Sequence, residues 1–111
     1  MKCFLHAKIH KATVTKADVS YIGSITIDKN LLKKVGIMPG EKVLVTSNTT
    51  GARLETYVIK GGAGEVCMNG AAAHLIKAGE EVIIMAFEWS KKIIKSKIIL
   101  VDKNNEFVKN L

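Results

Sequence analysis

The chain has one proline, two cysteines and one arginine among its 111 residues. So little proline, beside only nine glycines, excludes a low-complexity linker protein. Cys3 and Cys67 are too few for a disulfide framework in a chain of this length. Reduced thiols and a cytoplasmic setting are expected instead. No apolar run approaches the roughly 20 residues needed to cross a bilayer, so no membrane partner is expected. His6 and Lys8 interrupt the first residues too early for a signal peptide.

The shortage of arginine bears on the charge. A net charge of +7 invites a nucleic-acid partner, yet sixteen of the seventeen basic residues are lysines. Nucleic-acid readers lean on arginine, whose planar fork matches phosphates and guanine edges. From Lys91 onward, six lysines face only Asp102 and Glu106, which leaves +3 for the body of the chain (7 − 4). The basicity therefore reads as a solvated surface and tail, with no nucleic acid bound. With 48% apolar residues, the chain can build one hydrophobic core and is too short for two.

Short strand-like runs between turn signals dominate. Residues 2–10 and 12–15 favour strand, as does Ser24-Ile25-Thr26-Ile27 with its period-two alternation. Asp28 fits a helix N-cap, Leu31, Leu32 and Val35 share one helical face, and Gly36 suits the stop. Met38-Pro39-Gly40 is a turn. Residues 42–46 and 54–59 read as strands joined through Thr49-Thr50-Gly51. After the break at Gly61-Gly62-Ala63-Gly64 and a run at 65–68, a short helix is expected from Gly70 to about Lys77. Residues 81–87 form an apolar strand, and 97–101 with 107–108 fit a last hairpin. The fold class is mostly β, a small barrel with short helices.

Four features could carry chemistry. At Gly23-Ser24, a serine hydroxyl could attack the preceding carbonyl and move the acyl group from nitrogen to oxygen. The ester could then eliminate to dehydroalanine, which hydrolyses to a pyruvoyl group. Taken alone, such a pair ordinarily marks a strand start. Arg53 and Lys8 offer cationic donors for carboxylates, although a lone arginine is ordinarily a surface residue. Tyr57 could deliver a proton, with Thr56 beside it; strand alternation argues against both side chains pointing squarely into one pocket. Asn69-Gly70-Ala71-Ala72-Ala73-His74 opens a helix with small residues, whose free N–H groups could hold a carboxylate or oxyanion. His6, His10 and His74 lack metal-ligand spacing, so no metal is expected.

Taken together, these strings resemble the pyruvoyl-dependent aspartate 1-decarboxylase family. The likeness runs from Lys8-Ile9-His10 through Tyr21-Ile22-Gly23-Ser24-Ile25-Thr26-Ile27-Asp28, Asn48 to Tyr57, Asn69 to His74, and Gly79 to Ile84. It covers residues 1 to about 88, and the lysine-rich end is looser.

The resemblance implies a double-psi β-barrel over residues 1–111 that assembles as a homotetramer with active sites between subunits. It implies a zymogen cut autocatalytically between Gly23 and Ser24, into a β chain of residues 1–23 and an α chain of 24–111. Ser24 becomes the pyruvoyl cofactor, which takes L-aspartate as a Schiff base. By the same resemblance Thr56 supports processing, Lys8 and Arg53 bind substrate carboxylates, and Tyr57 donates a proton. Asn69, Gly70, Ala71 and Ala72 contact substrate, while His10 and Tyr21 line or order the site. The product would be β-alanine, for pantothenate and hence coenzyme A synthesis. Thr46 departs from relatives with an aromatic residue at the pocket edge. The competing reading is a small basic β-barrel module that binds nucleic acid through its lysines.

Overall fold

The β-favouring runs at 2–10 and 12–15 form one strand that ends at Thr13. In the computed structural model, which describes all 111 residues, β1 is Lys2–Thr13. Ala7 and Ile9 point into the core, and a register slip lets Ala12 follow them three residues later. Lys11, at φ 65°, takes up the slip as a bulge. The bulge keeps Ala12 on the core side as the strand continues past Lys11.

The other elements follow as β2 (Lys16–Asp18), β3 (Ser24–Asp28), α1 (Lys29–Val35), β4 (Lys42–Ser47), β5 (Arg53–Gly61) and β6 (Val66–Asn69). Then come α2 (Ala72–Leu75), β7 (Glu81–Ser90), β8 (Lys97–Val101) and β9 (Phe107–Asn110). The protein is mostly β, of the small-barrel class, with two short helices. Its strands run in the order β2-β6-β3-β5-β4-β7-β1-β8-β9, and no ladder joins β2 to β9. One cluster of 21 buried apolar residues fills the interior. Each of its valine, leucine, isoleucine and methionine side chains contributes about 1.5–3 kcal/mol when removed from water.

Helix α1 is bounded as its sequence dictates. The Asp28 carboxylate accepts the Asn30 N–H at 2.8 Å, and Gly36, at φ 77°, donates back to the Leu32 carbonyl. Leu31, Leu32 and Val35 are buried. The second Asp28 oxygen accepts the Gly64 N–H at 2.8 Å, which ties the helix start to the loop before β6. Helix α2 is shorter than expected, a single turn over Ala72–Leu75 with no side-chain cap. Only Ala73 is buried there, so the turn has too little apolar face to extend, and Ile76 is already extended at φ −124°.

Two features position the site. Strand β5 changes partner halfway along: Arg53 to Tyr57 pair with β4, whereas Val58 to Gly61 pair in parallel with β3. Because β3 begins at Ser24, it leaves one edge of the first half of β5 open. The end of the chain packs onto β1 through β8, and the turn before β9 is pinned by buried Asn105. Its side chain accepts the Thr13 N–H at 2.7 Å and donates to the carbonyls of Thr13 and Gly64.

Candidate active site

Ser24 opens β3, and its cross-strand partner on β6 is Asn69, 45 residues away. Both are almost fully buried, at 1% and 2% exposure. The Ser24 hydroxyl turns back along the chain and donates to the Ile22 carbonyl at 2.9 Å. Asn69 Nδ2 donates to Ser24 Oγ at 3.0 Å and to Thr26 Oγ1 at 2.9 Å. A serine at a strand start is ordinarily solvated; this one is buried with every contact made by the chain itself.

Gly23 is not demanded by packing, since a Cβ there would meet nothing within 4 Å. The close approach belongs to Gly70. It has φ +66°, and a Cβ on it would stand 2.7 Å from the Gly23 Cα and 2.9 Å from the Gly23 nitrogen. Its own N–H is held by the Asp18 carbonyl at 2.8 Å. A left-handed residue without a side chain is thus pressed on the segment that leads into Ser24.

Ser24 lines a cleft of about 520 Å³ with Gly23, Leu54, Glu55, Thr56, Tyr57, Asn69, Ala71, Ala72 and Leu75. The cleft occupies the edge of β5 that β3 leaves open. Thr56 and Tyr57 both border it because the neighbouring strand ends there. Thr56 lies on the inner parity with Leu54 and Val58, and Tyr57 stands at the rim, 40% exposed. Of the helix-start N–H groups expected to face an anion, those of Ala73 and His74 are bound inside the turn by Gly70 and Ala71. The Ala71 N–H makes no bond within the chain.

The remaining candidates lie elsewhere. Register and alternation place Lys8 and His10 of β1 on the outer face of the sheet, with Arg53 and Tyr57 of β5. Leu44 and Met85 link the two groups, since Glu55 pairs with Leu44, Leu44 with Met85 and Met85 with Lys8. Three strand spacings separate β5 from β1, roughly 14 Å. Lys8, His10 and Arg53 do not line the Ser24 cleft, and Glu55 and Tyr57 are the residues common to face and cleft. Burial, then the charges of Lys8 and Lys11, lowers the His10 pKa. Its Nδ1 is buried without a hydrogen-bond partner. Tyr21 lies on the far side of Asn69, at a cavity of about 240 Å³ shared with Thr26, Cys67 and Lys60. Thr46 sits beside Arg53 on β4, away from Ser24.

The family model for aspartate decarboxylase matches residues 1–108. The chain belongs to the aspartate decarboxylase family. A relative from Desulfitobacterium hafniense (strain DSM 10664 / DCB-2), named aspartate 1-decarboxylase, is 50% identical over 114 residues, which cover 97% of this chain and 90% of the relative. One of the same name from Bacillus cereus (strain B4264) is 47% identical over 116 residues, 99% of this chain and 91% of its own. A third so named, from Exiguobacterium sibiricum, reaches 58% identity over 89 residues, 78% of this chain and 70% of its own.

Within this family member, reasoning along the sequence missed Thr26 and Cys67, which flank Asn69. The available signal was parity: Thr26 shares the strand face of Ser24, and Cys67 that of Asn69. Leu54, Glu55 and Leu75 were missed as cleft walls because their placement depends on where β3 ends. No group of three or more histidine, cysteine or acidic residues is arranged to hold a metal.

Proposed function

We propose that this chain is a decarboxylase that removes the α-carboxylate of L-aspartate to give β-alanine and carbon dioxide, in the cytoplasm, for pantothenate synthesis. The observation that carries this reading is the buried Ser24 hydroxyl, held between Ile22 and Asn69 and bordering a cleft with Thr56 and Tyr57. Family membership agrees with it.

Self-cleavage at Gly23–Ser24 would begin with Ser24 Oγ bonding to the Gly23 carbonyl carbon as the hydroxyl proton passes to the Ser24 nitrogen and the C–N bond breaks. Loss of the Ser24 α-proton and cleavage of Cβ–Oγ would release residues 1–23 with a carboxylate end. Water then replaces the nitrogen as ammonia and leaves a ketone at the head of residues 24–111. Thr56 lines the same cleft as Gly23 and Ser24 and would support this step.

The residues present fit a pyruvoyl group formed there: the serine is buried, follows glycine and faces an amide donor. When formed, the group supplies an electron-accepting ketone for the substrate amine, and the organic chemistry is the cofactor's. The chain's own task is to hold and protonate. Arg53 and Lys8 would grip carboxylates, arginine through two parallel hydrogen bonds. The Tyr57 phenol, at the rim, would give a proton to the carbon that has lost carbon dioxide.

The separation of Lys8, His10 and Arg53 from the Ser24 cleft favours a site completed by a neighbouring copy, as in a homotetramer. Apolar Leu44 and Met85 on the same outer face, and the unpartnered His10 Nδ1, support that face being covered. Denaturing mass spectrometry tests the whole reading. Two fragments, residues 1–23 and 24–111 with a blocked ketone start, are expected; only whole chain in a preparation that turns over aspartate defeats it.

A further inference from the structure

Ser24, Thr26, Cys67 and Asn69 form a closed two-by-two block. Ser24 pairs with Asn69 and Thr26 with Cys67 across β3 and β6, and alternation puts all four side chains on one face. All are buried, none above 8% exposure. Asn69 sits at the centre of the hydrogen bonding: Nδ2 serves the two hydroxyls, and Oδ1 accepts the Cys67 thiol at 3.1 Å.

A side-chain amide has two orientations, and its neighbours select one. Hydroxyls donate or accept, so Ser24 and Thr26 are satisfied by either face of Asn69. The thiol is different: it offers a hydrogen and is a poor acceptor. Burial, then the Glu65 carboxylate, pushes the Cys67 pKa up and keeps that hydrogen in place at neutral pH. With the amide reversed, its NH2 would face sulfur and its oxygen would draw the Ser24 hydroxyl away from Ile22.

We propose that Cys67 is a positioning residue for self-cleavage: its thiol fixes the Asn69 amide so that the N–H, not the oxygen, faces Ser24 Oγ. The inference rests on Gly23–Ser24 being a self-cleavage site and deepens that reading. Negative charge gathers on Oγ twice, when the hydroxyl gives up its proton to attack and when the Cβ–Oγ bond breaks to release the carboxylate. An N–H aimed at Oγ stabilises both events, whereas a carbonyl oxygen there opposes both. Thr26 assists by holding the second hydrogen of Nδ2.

Cell-free synthesis with timed denaturing mass spectrometry follows the whole chain from its birth. Cys67→Val, close in size but without a donor, is expected to slow cleavage about tenfold, the scale of one lost buried hydrogen bond. Cys67→Ser, which keeps a donor, is expected to cut within a few-fold of the parent. Thr26→Val provides a second arm and is also expected to be slow. Circular dichroism and the urea midpoint of the uncut variants check that the fold is kept. Cys67→Val cutting at the parental rate, or Cys67→Ser as slow as Cys67→Val, overturns the proposal while a parent that cuts leaves the self-cleavage reading intact. A parent chain that stays whole overturns both.

Discussion

Gly70 and Gly23 lie back to back: a Cβ placed on Gly70 would stand 2.7 Å from the Gly23 Cα. The contact joins the turn that opens α2 to the peptide proposed to break, across 47 positions of sequence. It gives Gly70 two independent reasons to be glycine, the space and a φ of +66°. Gly70→Ala is expected to lose about 1–3 kcal/mol of stability from the backbone strain alone. The same variant displaces the Gly23 segment, so cleavage slows as well. Urea unfolding of the uncut chain and timed mass spectrometry read the two effects separately; a parental midpoint would show that the segment yields freely.

Ser24→Ala removes the nucleophile and little else. Asn69 keeps its bond to Thr26, while the Ile22 carbonyl loses its donor and the other Nδ2 hydrogen of Asn69 loses its acceptor. A folded, uncut and inactive chain is expected, destabilised by about 1–3 kcal/mol because a buried amide hydrogen is left unpaired. Normal decarboxylation by this variant would remove Ser24 from the mechanism.

Arg53 is exposed and makes no ion pair, so Arg53→Gln should leave the fold alone. Its loss removes a charged double hydrogen bond to substrate and is expected to cost about 2–3 kcal/mol in kcat/KM. Arg53 and the Ser24 cleft do not meet within one copy, which leads to a stronger test. Co-expressed Ser24→Ala and Arg53→Gln chains, the first inactive and the second weakened alone, should regain parental activity at about a quarter of randomly mixed interfaces. No recovery in a mixed assembly would place both residues in the same copy's site.

How much was legible in the sequence follows a physical line. Local signals were: the Asp28 cap, the Gly36 stop, the strand at Ser24 and the final hairpin all depend on neighbours within a few residues. The bulge at Lys11 was not, because it exists only in the pairing of β1 with β7. Helix α2 was overdrawn, since small residues permit a helix but supply little apolar face to extend one. The individual site strings were weak by themselves, and their ordered set carried the family. The division of Lys8, His10 and Arg53 from Ser24 was invisible, because it depends on which face of which strand each one occupies. Cys67 and Thr26 were legible only through their parity with Asn69 and Ser24, and the pairing of β3 with β6 that brings them together was not.

Glu80 gives the protein a defined weakness to acid. Its carboxylate, nearly buried, accepts the Ser47 hydroxyl at 2.6 Å and the Lys77 N–H at 2.7 Å. The Ser47 bond, with further help from the Lys77 N–H, holds its pKa below the ordinary 4.5 against the opposing effect of burial. A carboxylate depressed in the folded state adds stability that is complete above the unfolded value. That stability is lost as the pH falls through the folded one. The urea midpoint should therefore drop as the pH falls below about 4.5. Glu80→Gln keeps an oxygen for one donor and cannot titrate. It should be less stable than the parent at pH 7 and show a shallower decline in acid. Midpoints measured at pH 7 and near pH 3 on both proteins decide it: equal declines would mean that the acid sensitivity resides in other carboxylates.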